Sequence, residues 1–348
     1  MQNIILYKLS NFKRRRAIEY LTYKYSKKNN LSYKETLNKL KKISKDYCTN
    51  VQFLIAIDYL NKKDKSIILN FDFYLEVFKI NPKGIHDLLN NKLIIYDRCK
   101  KFIKRDYLEV KKENKEECLK FIQNHKKFVG KRNYGSGGEC FCIYEHNNKN
   151  PLKIYNQILK NKNVILEEFI VQHDVINKIH KYSVNTIRIH TVNNGKKIKT
   201  FLKPKMRIGC NKSILDNHSP NGSAYRLILN NDGSIAKSGY IDSNMIMKKA
   251  NYHHNSKVYF SKIKIPYVKE AIEMVKEAAL LFPEVGLIGW DVAITNEGPV
   301  LVEGNIMTGA IENYQWINYI YGEKGIKKEL EEMMNFATSS KGKRTWKK

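Results

Sequence analysis

The residues best suited to chemistry lie in GWDVAITNEGPVLVEGN, 289–305, which sets Asp291, Glu303 and Asn305 on two runs joined by turn-forming residues. The pattern predicts a hairpin. Leu287 to Ile294 is apolar and partly β-branched, Thr295–Gly298 is turn chemistry, and Pro299 to Gly304 is a second strand. A three-residue loop over 296–298, with Gly298 at positive φ, would pair Thr295 with Pro299 and set Asp291 opposite Glu303. Carboxylates facing each other across a ladder, about 5 Å apart at Cβ, repel unless a positive group stands between them. Oxygen-only donors in this arrangement suit Mg²⁺ or Mn²⁺ held jointly with phosphates. A solvated hairpin face is the competing reading.

Further candidates lie upstream. Lys131 ends an apolar strand and is followed by Arg132-Asn-Tyr-Gly135-Ser136-Gly137-Gly138. A glycine-rich turn between strands lets backbone N–H groups approach a polyphosphate, and the lysine adds a point charge. The Walker order and the GxGxxG fingerprint are both missing, and a plain flexible turn would look the same. The strand VILEEFI, 164–170, carries Glu167 and Glu168, of which alternation can bury only one. In SVNTIRIHTV, 183–192, Arg188 and His190 share a face. An arginine inside an apolar strand needs an anion, which a phosphate, the Asp291/Glu303 pair or a structural salt bridge would supply. Lys203, Lys205 and Arg207 alternate in the next stretch and would set three cations on one face, and Asp216-Asn217 with Gly222 forms a polar loop. Arg188, Lys203 and Arg207 are the candidate catalytic cations.

These residues need elements to hold them. The chain of 348 residues is long enough for two lobes. Residues 12 to about 62 carry apolar side chains at helical spacing and many lysines, which predicts a helical segment. From 126 onward strands follow: KKFVGK, ECFCIY, NVILEEF, VNTIRIHTV, KIKTFL and YRLILN. An amphipathic helix over Tyr267 to Phe282 shows Val268, Ile272, Val275 and Ala279 on one stripe and stops at Pro283. The net charge of +29 invites a nucleic-acid reading, but only 10 of the 63 basic residues are Arg and they are scattered, which argues against a specific nucleic-acid reader. Six cysteines without a CxxC pair or zinc spacing read as reduced thiols. No apolar run reaches membrane-span length and no signal peptide is evident, so the expected compartment is the cytoplasm. The basic N-terminal segment leaves contact with the inner, anionic membrane face as a second reading.

The order of these motifs is more specific than any one of them. Strand lysine, glycine loop, acidic strand, NTIR strand, basic strand and D-x11-E-x-N resemble the ATP-grasp superfamily. The run 126–305 is similar to its sugar-transfer-associated branch, related to α-L-glutamate ligase-like proteins, at Glu167–His173, Val184–Arg188, Asp216–Asn217, Gly289–Asp291 and Gly298–Asn305. The resemblance implies an α+β ATP-grasp fold, two α+β lobes sandwiching ATP. It divides the chain into a helical basic N-terminal region 1–90, a small lobe 91–182, a large lobe 183–335 and a basic tail 336–348. It further implies that Lys131 and the earlier Lys92 touch phosphates and that Gly135, Ser136, Gly137 and Gly138 close over them. Glu167 would meet the adenine amino group, beside Glu168 and the Phe169 backbone, and Gln172 or Asp174 the ribose. Asp291, Glu303 and Asn305 would hold two Mg²⁺ ions, or Mn²⁺, with Glu303 bridging, while Arg188 stabilises the transferred phosphoryl group. The implied activity is an ATP- and Mg²⁺-dependent carboxylate–amine ligase that works through an acyl phosphate in polysaccharide or sugar modification. A phosphotransferase acting on a hydroxyl is the alternative. The expected partners are a small or sugar-linked carboxylate and an amine. The loop after Asp216-Asn217, HSPNGS, departs from the family's pattern and leaves the acceptor open.

Overall fold

A computed structural model describes residues 16, 18–46, 51–56, 58–61, 76–77, 79–82, 84–134, 141–146, 150–217, 224–236, 239–243, 246–306 and 326–340. The predicted glycine loop, Gly135 to Gly138, lies outside the described residues, as does Gly222.

Two antiparallel sheets carry the architecture. The smaller contains β1 (Tyr107–Glu109), β2 (Lys127–Lys131), β3 (Phe141–Glu145) and β4 (Ile165–Glu168) in the order β1-β4-β2-β3. The larger contains β5 (Thr186–Asn193), β6 (Ile198–Ile208), β7 (Ala224–Ile228), β8 (Gly239–Ser243), β9 (Ile246–Ala250), β10 (Leu287–Thr295) and β11 (Gly298–Asn305) in the order β11-β10-β5-β6-β7-β8-β9.

Each sheet has its own packing partner. Helices Lys115–Asn124 and Pro151–Lys160 bury Phe121, Ile122, Ile154 and Ile158 with Phe128 and Leu166 of the small sheet. The amphipathic helix predicted at 267–282 runs over Val268–Leu280 and buries Val268, Ile272, Val275 and Ala279, together with Ala271, Met274 and Ala278. It packs on β5, β6 and β11, in one core with Trp290 and Ile187. The short helix Lys92–Arg98, capped by the Asn91 side chain, joins that core through Ile95 and Tyr96. It therefore stands where both sheets meet.

The N-terminal segment is helical, as predicted, over 18–28 and Tyr33–Asp46. Among the described residues no helix is long and apolar enough to cross a membrane. Cys99, Cys118, Cys142 and Cys210 are free thiols.

The hairpin differs from its predicted form in an instructive way. Thr295 pairs with Gly298, not Pro299, so the loop has two residues and Gly298 sits at φ 116°. Continued unbroken, that register would set Asp291 opposite Val302. A bulge after the Val292–Leu301 pair makes Val302 the extra residue and restores Asp291 opposite Glu303. The predicted pairing is present, but the bulge produces it, not the loop length.

Candidate active site

A cleft of about 190 Å³ opens between the two sheets. Lys92, Lys131, Glu167 and Phe169 line it from the small-sheet side, and Thr186, Arg207, Asp216, Asp291 and Glu303 from the large-sheet side. Six of the predicted phosphate, adenine or metal residues thus reach one cavity from segments spread over more than 200 positions.

On the small-sheet wall, β2 delivers Lys131 at its last residue, where it pairs with Ile165 of β4. Its ammonium forms an ion pair with the Glu167 carboxylate. Glu167 also accepts from Arg105 Nε at 3.0 Å and Nη2 at 2.7 Å and from the Tyr96 hydroxyl. Burial pushes the Glu167 carboxyl up, but Arg105 and Lys131 outweigh it and hold the group at about 2. Burial, followed by the Glu167 charge, drives the Tyr96 phenol upward, so it stays protonated as a donor. Lys92 opens its helix, and its ammonium donates to the Asn133 carbonyl at 3.4 Å.

The large-sheet wall is built on Asp291. It is completely buried, and β10 lays it beside Arg188 of β5. Arg188 grips it with two bonds, Nε to Oδ1 at 2.6 Å and Nη2 to Oδ2 at 3.0 Å. Arg207 adds Nη2 to Oδ2 at 2.8 Å and also faces Asp216 at 3.3 Å. Burial alone would raise the Asp291 carboxyl, but the two guanidinium groups hold it well below the ordinary carboxylate range. Glu303 behaves oppositely. Burial and then the neighbouring Asp291 charge push it up, and among the described residues no cation stands within ion-pair distance of it. The Asn305 amide spans both acids, 3.5 Å from Asp291 and 3.4 Å from Glu303.

The donor set fits a hard divalent cation. All the groups that would hold it offer oxygen, once the Asn305 amide turns its Oδ1 inward. A cation would also relieve the charge crowding that raises Glu303. Arg188 Nη1, beside this pair, is buried without a hydrogen-bond partner among the described residues.

Several predicted residues stand elsewhere. Lys203 does not join Arg207. A left-handed Leu202 at φ 61° and a register shift opposite Ile189 interrupt β6, so the alternation of three cations is broken. Lys203 is exposed and donates to Asn230 at 3.0 Å, while Lys205 is fully buried. Gln172 is not in the cleft either. Its amide is engaged with the His180 carbonyl, Asn177 and Asn185. Asp174 is exposed at the start of a short helix, where its N–H meets the Asn296 side chain at 3.3 Å. Glu168 turns outward toward the Asp106 N–H. Arg188 lies behind Asp291, and Arg207 is the guanidinium that lines the cleft.

Three groups were not found by sequence reasoning. Arg105 and Tyr96 sit in no recognisable motif. Arg226, which donates to the Asp216 carbonyl at 3.3 Å and to Asn217 at 3.1 Å, carries the same signal as Arg188, an arginine inside an apolar strand.

The sugar-transfer associated ATP-grasp family model matches residues 73–334, three quarters of the chain and both walls of the cleft. The chain belongs to the sugar-transfer associated ATP-grasp family. No curated protein sequence matches it. Among solved structures it resembles D-alanyl-alanine synthetase A from Vibrio cholerae, with 12% identity and a TM-score of 0.43, over 73% of this chain and 66% of that one. N5-carboxyaminoimidazole synthetase from Staphylococcus aureus, complexed with ADP, gives 13% and 0.42 over 70% and 54%. D-alanine-D-alanine ligase from Coxiella burnetii gives 10% and 0.42 over 72% and 57%. The chain thus spans between about half and two thirds of the length of these proteins, and likeness this distant carries nothing about substrate.

Proposed function

We propose that the protein is an ATP- and Mg²⁺-dependent carboxylate–amine ligase acting on a sugar-linked or other small carboxylate. The supporting observation is the convergence in one cleft of two lysines on one wall with Asp291, Glu303 and Arg207 on the other. Phosphate-binding cations and metal-binding acids thus face a common volume. In this reading a substrate carboxylate oxygen attacks the γ-phosphorus and ADP leaves. An amine nitrogen then attacks the acyl carbon, the carbon–oxygen bond to phosphate breaks, and the nitrogen loses a proton.

The chain's part is positioning and charge stabilisation. Lys92 and Lys131 would bind the nucleotide phosphates, and Arg207 the transferring phosphoryl group. Arg188 would fix the Asp291 carboxylate in one orientation. Asp291, Glu303 and Asn305 would hold Mg²⁺, which when bound neutralises charge on the phosphates. The acceptor end would be the part of the cleft lined by Tyr182, Ile214 and Leu215, beside Asn217.

The test is nucleotide turnover against uronic acids, nucleotide sugars and amino acids, with ADP and free phosphate assayed separately. ADP and phosphate released together, only when a carboxylate and an amine are both present, are expected. A phosphorylated hydroxyl acceptor without free phosphate would overturn the ligase and make the protein a kinase. In the same assay Glu303→Gln should abolish turnover, and full activity in that variant would sink the metal assignment.

A further inference from the structure

Arg105 has no place in the cleft lining, yet it is buried, its side chain only 4% exposed, and bonded through all three guanidinium nitrogens. It lies between the left-handed cap Lys104 and β1. Nε and Nη2 close on one oxygen of Glu167 at 3.0 and 2.7 Å, and Nη2 also reaches the Tyr96 hydroxyl at 3.3 Å. Nη1 donates to the Ile103 carbonyl at 3.0 Å and to the Leu301 carbonyl at 2.8 Å. Leu301 is the last paired residue before the bulge that delivers Glu303. These backbone anchors keep the guanidinium out of the cleft. Its closest link to the cleft is Glu167.

The charges around Glu167 give that link a direction. Glu167 and Lys131 alone would be a neutral pair, with the lysine's charge neutralised by its partner. With Arg105 present the same carboxylate is shared between two cations and the cluster carries one net positive charge. Both Glu167 oxygens are already engaged, one by Lys131 and the other by Arg105 and Tyr96.

We infer that Arg105 is a positioning residue that shares the Glu167 carboxylate with Lys131, and thereby leaves the Lys131 ammonium its charge for nucleotide phosphate. The inference rests on the nucleotide-binding reading above. A fork that meets Glu167 with two nitrogens and Leu301 with the third is within reach of arginine, whereas lysine offers one nitrogen.

The experiment is calorimetric titration of the full chain with adenosine, ADP and ATP. Wild type should bind the three with affinity rising as phosphates are added. Failure of wild type to bind ATP would sink the nucleotide reading itself. Arg105→Met should weaken ATP by at least about tenfold, the scale of one partly screened charge a few ångströms away, and leave adenosine unchanged. Adding Glu167→Gln to Arg105→Met should restore ATP affinity, because Lys131 then has no competing anion. An unchanged ratio of ATP to adenosine affinity in Arg105→Met, or a double variant that binds ATP no better, would overturn the inference. Should Arg105→Met not fold, as read by circular dichroism, Glu167→Gln alone decides. A ratio of ATP to adenosine affinity equal to or above that of wild type supports the inference, and a ratio below it overturns it.

Discussion

The two walls of the cleft solve the same electrostatic problem in opposite ways. On the small-sheet wall two cations, Lys131 and Arg105, share one acid, Glu167. On the large-sheet wall two cations, Arg188 and Arg207, converge on Asp291 and leave the adjacent Glu303 without an ion-pair partner among the described residues. The first arrangement leaves positive charge over and suits phosphate. The second satisfies one acid completely and keeps its neighbour crowded, which suits a cation. Buried ion clusters are weak evidence for stability, because desolvation offsets their attraction. Here the imbalance within each cluster, more than the number of pairs, indicates which ligand it favours.

One chemical change, carboxylate to amide, made separately at Asp291 and at Glu303 should have opposite effects on stability. Asp291→Asn leaves the buried Arg188 guanidinium without its anion and Arg207 with Asp216 alone, and such a loss costs about 3–5 kcal/mol. Glu303→Gln removes an unfavourable charge and should change stability by no more than about 1 kcal/mol, in the stabilising direction. Urea unfolding of both variants measures the difference. The pH dependence follows from the raised Glu303 carboxyl. A group raised in the fold contributes stability below its unfolded value of 4.5 that is lost as pH rises through the folded one. The advantage of Glu303→Gln over wild type should therefore grow from pH 5 to pH 8. Equal losses in the two variants would erase the distinction between a satisfied and a crowded acid.

Metal addition sharpens the same contrast. A ligand that binds only the folded state stabilises it by mass action, by about 2.7 kcal/mol at 100 times its dissociation constant. Mg²⁺ with a nonhydrolysable ATP analogue should raise the melting temperature of wild type and leave that of Glu303→Gln nearly where it was. A similar shift in both would move the metal away from Glu303.

A smaller effect is expected behind Lys131. A Cβ on Gly130 would come within 2.7 Å of the Tyr144 ring and 2.8 Å of the Asn163 amide. Those two side chains are tied to each other by a 2.7 Å hydrogen bond. Gly130→Ala should therefore cost about 1–3 kcal/mol as overpacking, read as a lower urea midpoint. Little change would mean that β2 is less firmly seated than the ion cluster at its end implies.

What could be read in the sequence divides along physical lines. Asp291 opposite Glu303 was legible because period-2 alternation places the acids and turn residues bound the hairpin. The bulge at Val302 was not, since no residue type marks it. Lys131 was legible as a strand-end cation. Arg105 was not, because KFIKRDYL gives no periodic reason to bury one of its cations, and its partners come from 62 and 196 positions away. Lys203 was misplaced for a local reason. Alternation holds only along an uninterrupted strand, and a left-handed Leu202 breaks it. Gln172 was expected at the ribose only because the family resemblance implied it. Its partner Asn185, itself fully buried, lies across a turn that local pattern does not reveal.

The cleft and the loop that borders it should respond differently to acid. Asp291 and Glu167 are both held low by their cations, so neither titrates between pH 7 and pH 4. His253 does. It is fully buried, and its Nε2 meets the Gly209 carbonyl at 2.9 Å while Nδ1 faces Ser256 Oγ at 3.2 Å. Around it stand His180, His254 and Tyr225. Burial lowers it from 6.5 to about 4. A histidine depressed in the fold contributes stability that is present above 6.5 and lost as pH falls toward 4. The loss should reach on the order of 2–3 kcal/mol at pH 4. Because carboxylates also titrate there, the informative quantity is the difference from His253→Gln, which should have a flatter profile between pH 6.5 and pH 4. Gly209 opens the segment that ends in Asp216 and Asn217, so wild type should lose its grip on that rim of the cleft before Asp291 or Glu167 is protonated. Parallel profiles in the two proteins would show that the acid-sensitive part of the molecule lies elsewhere.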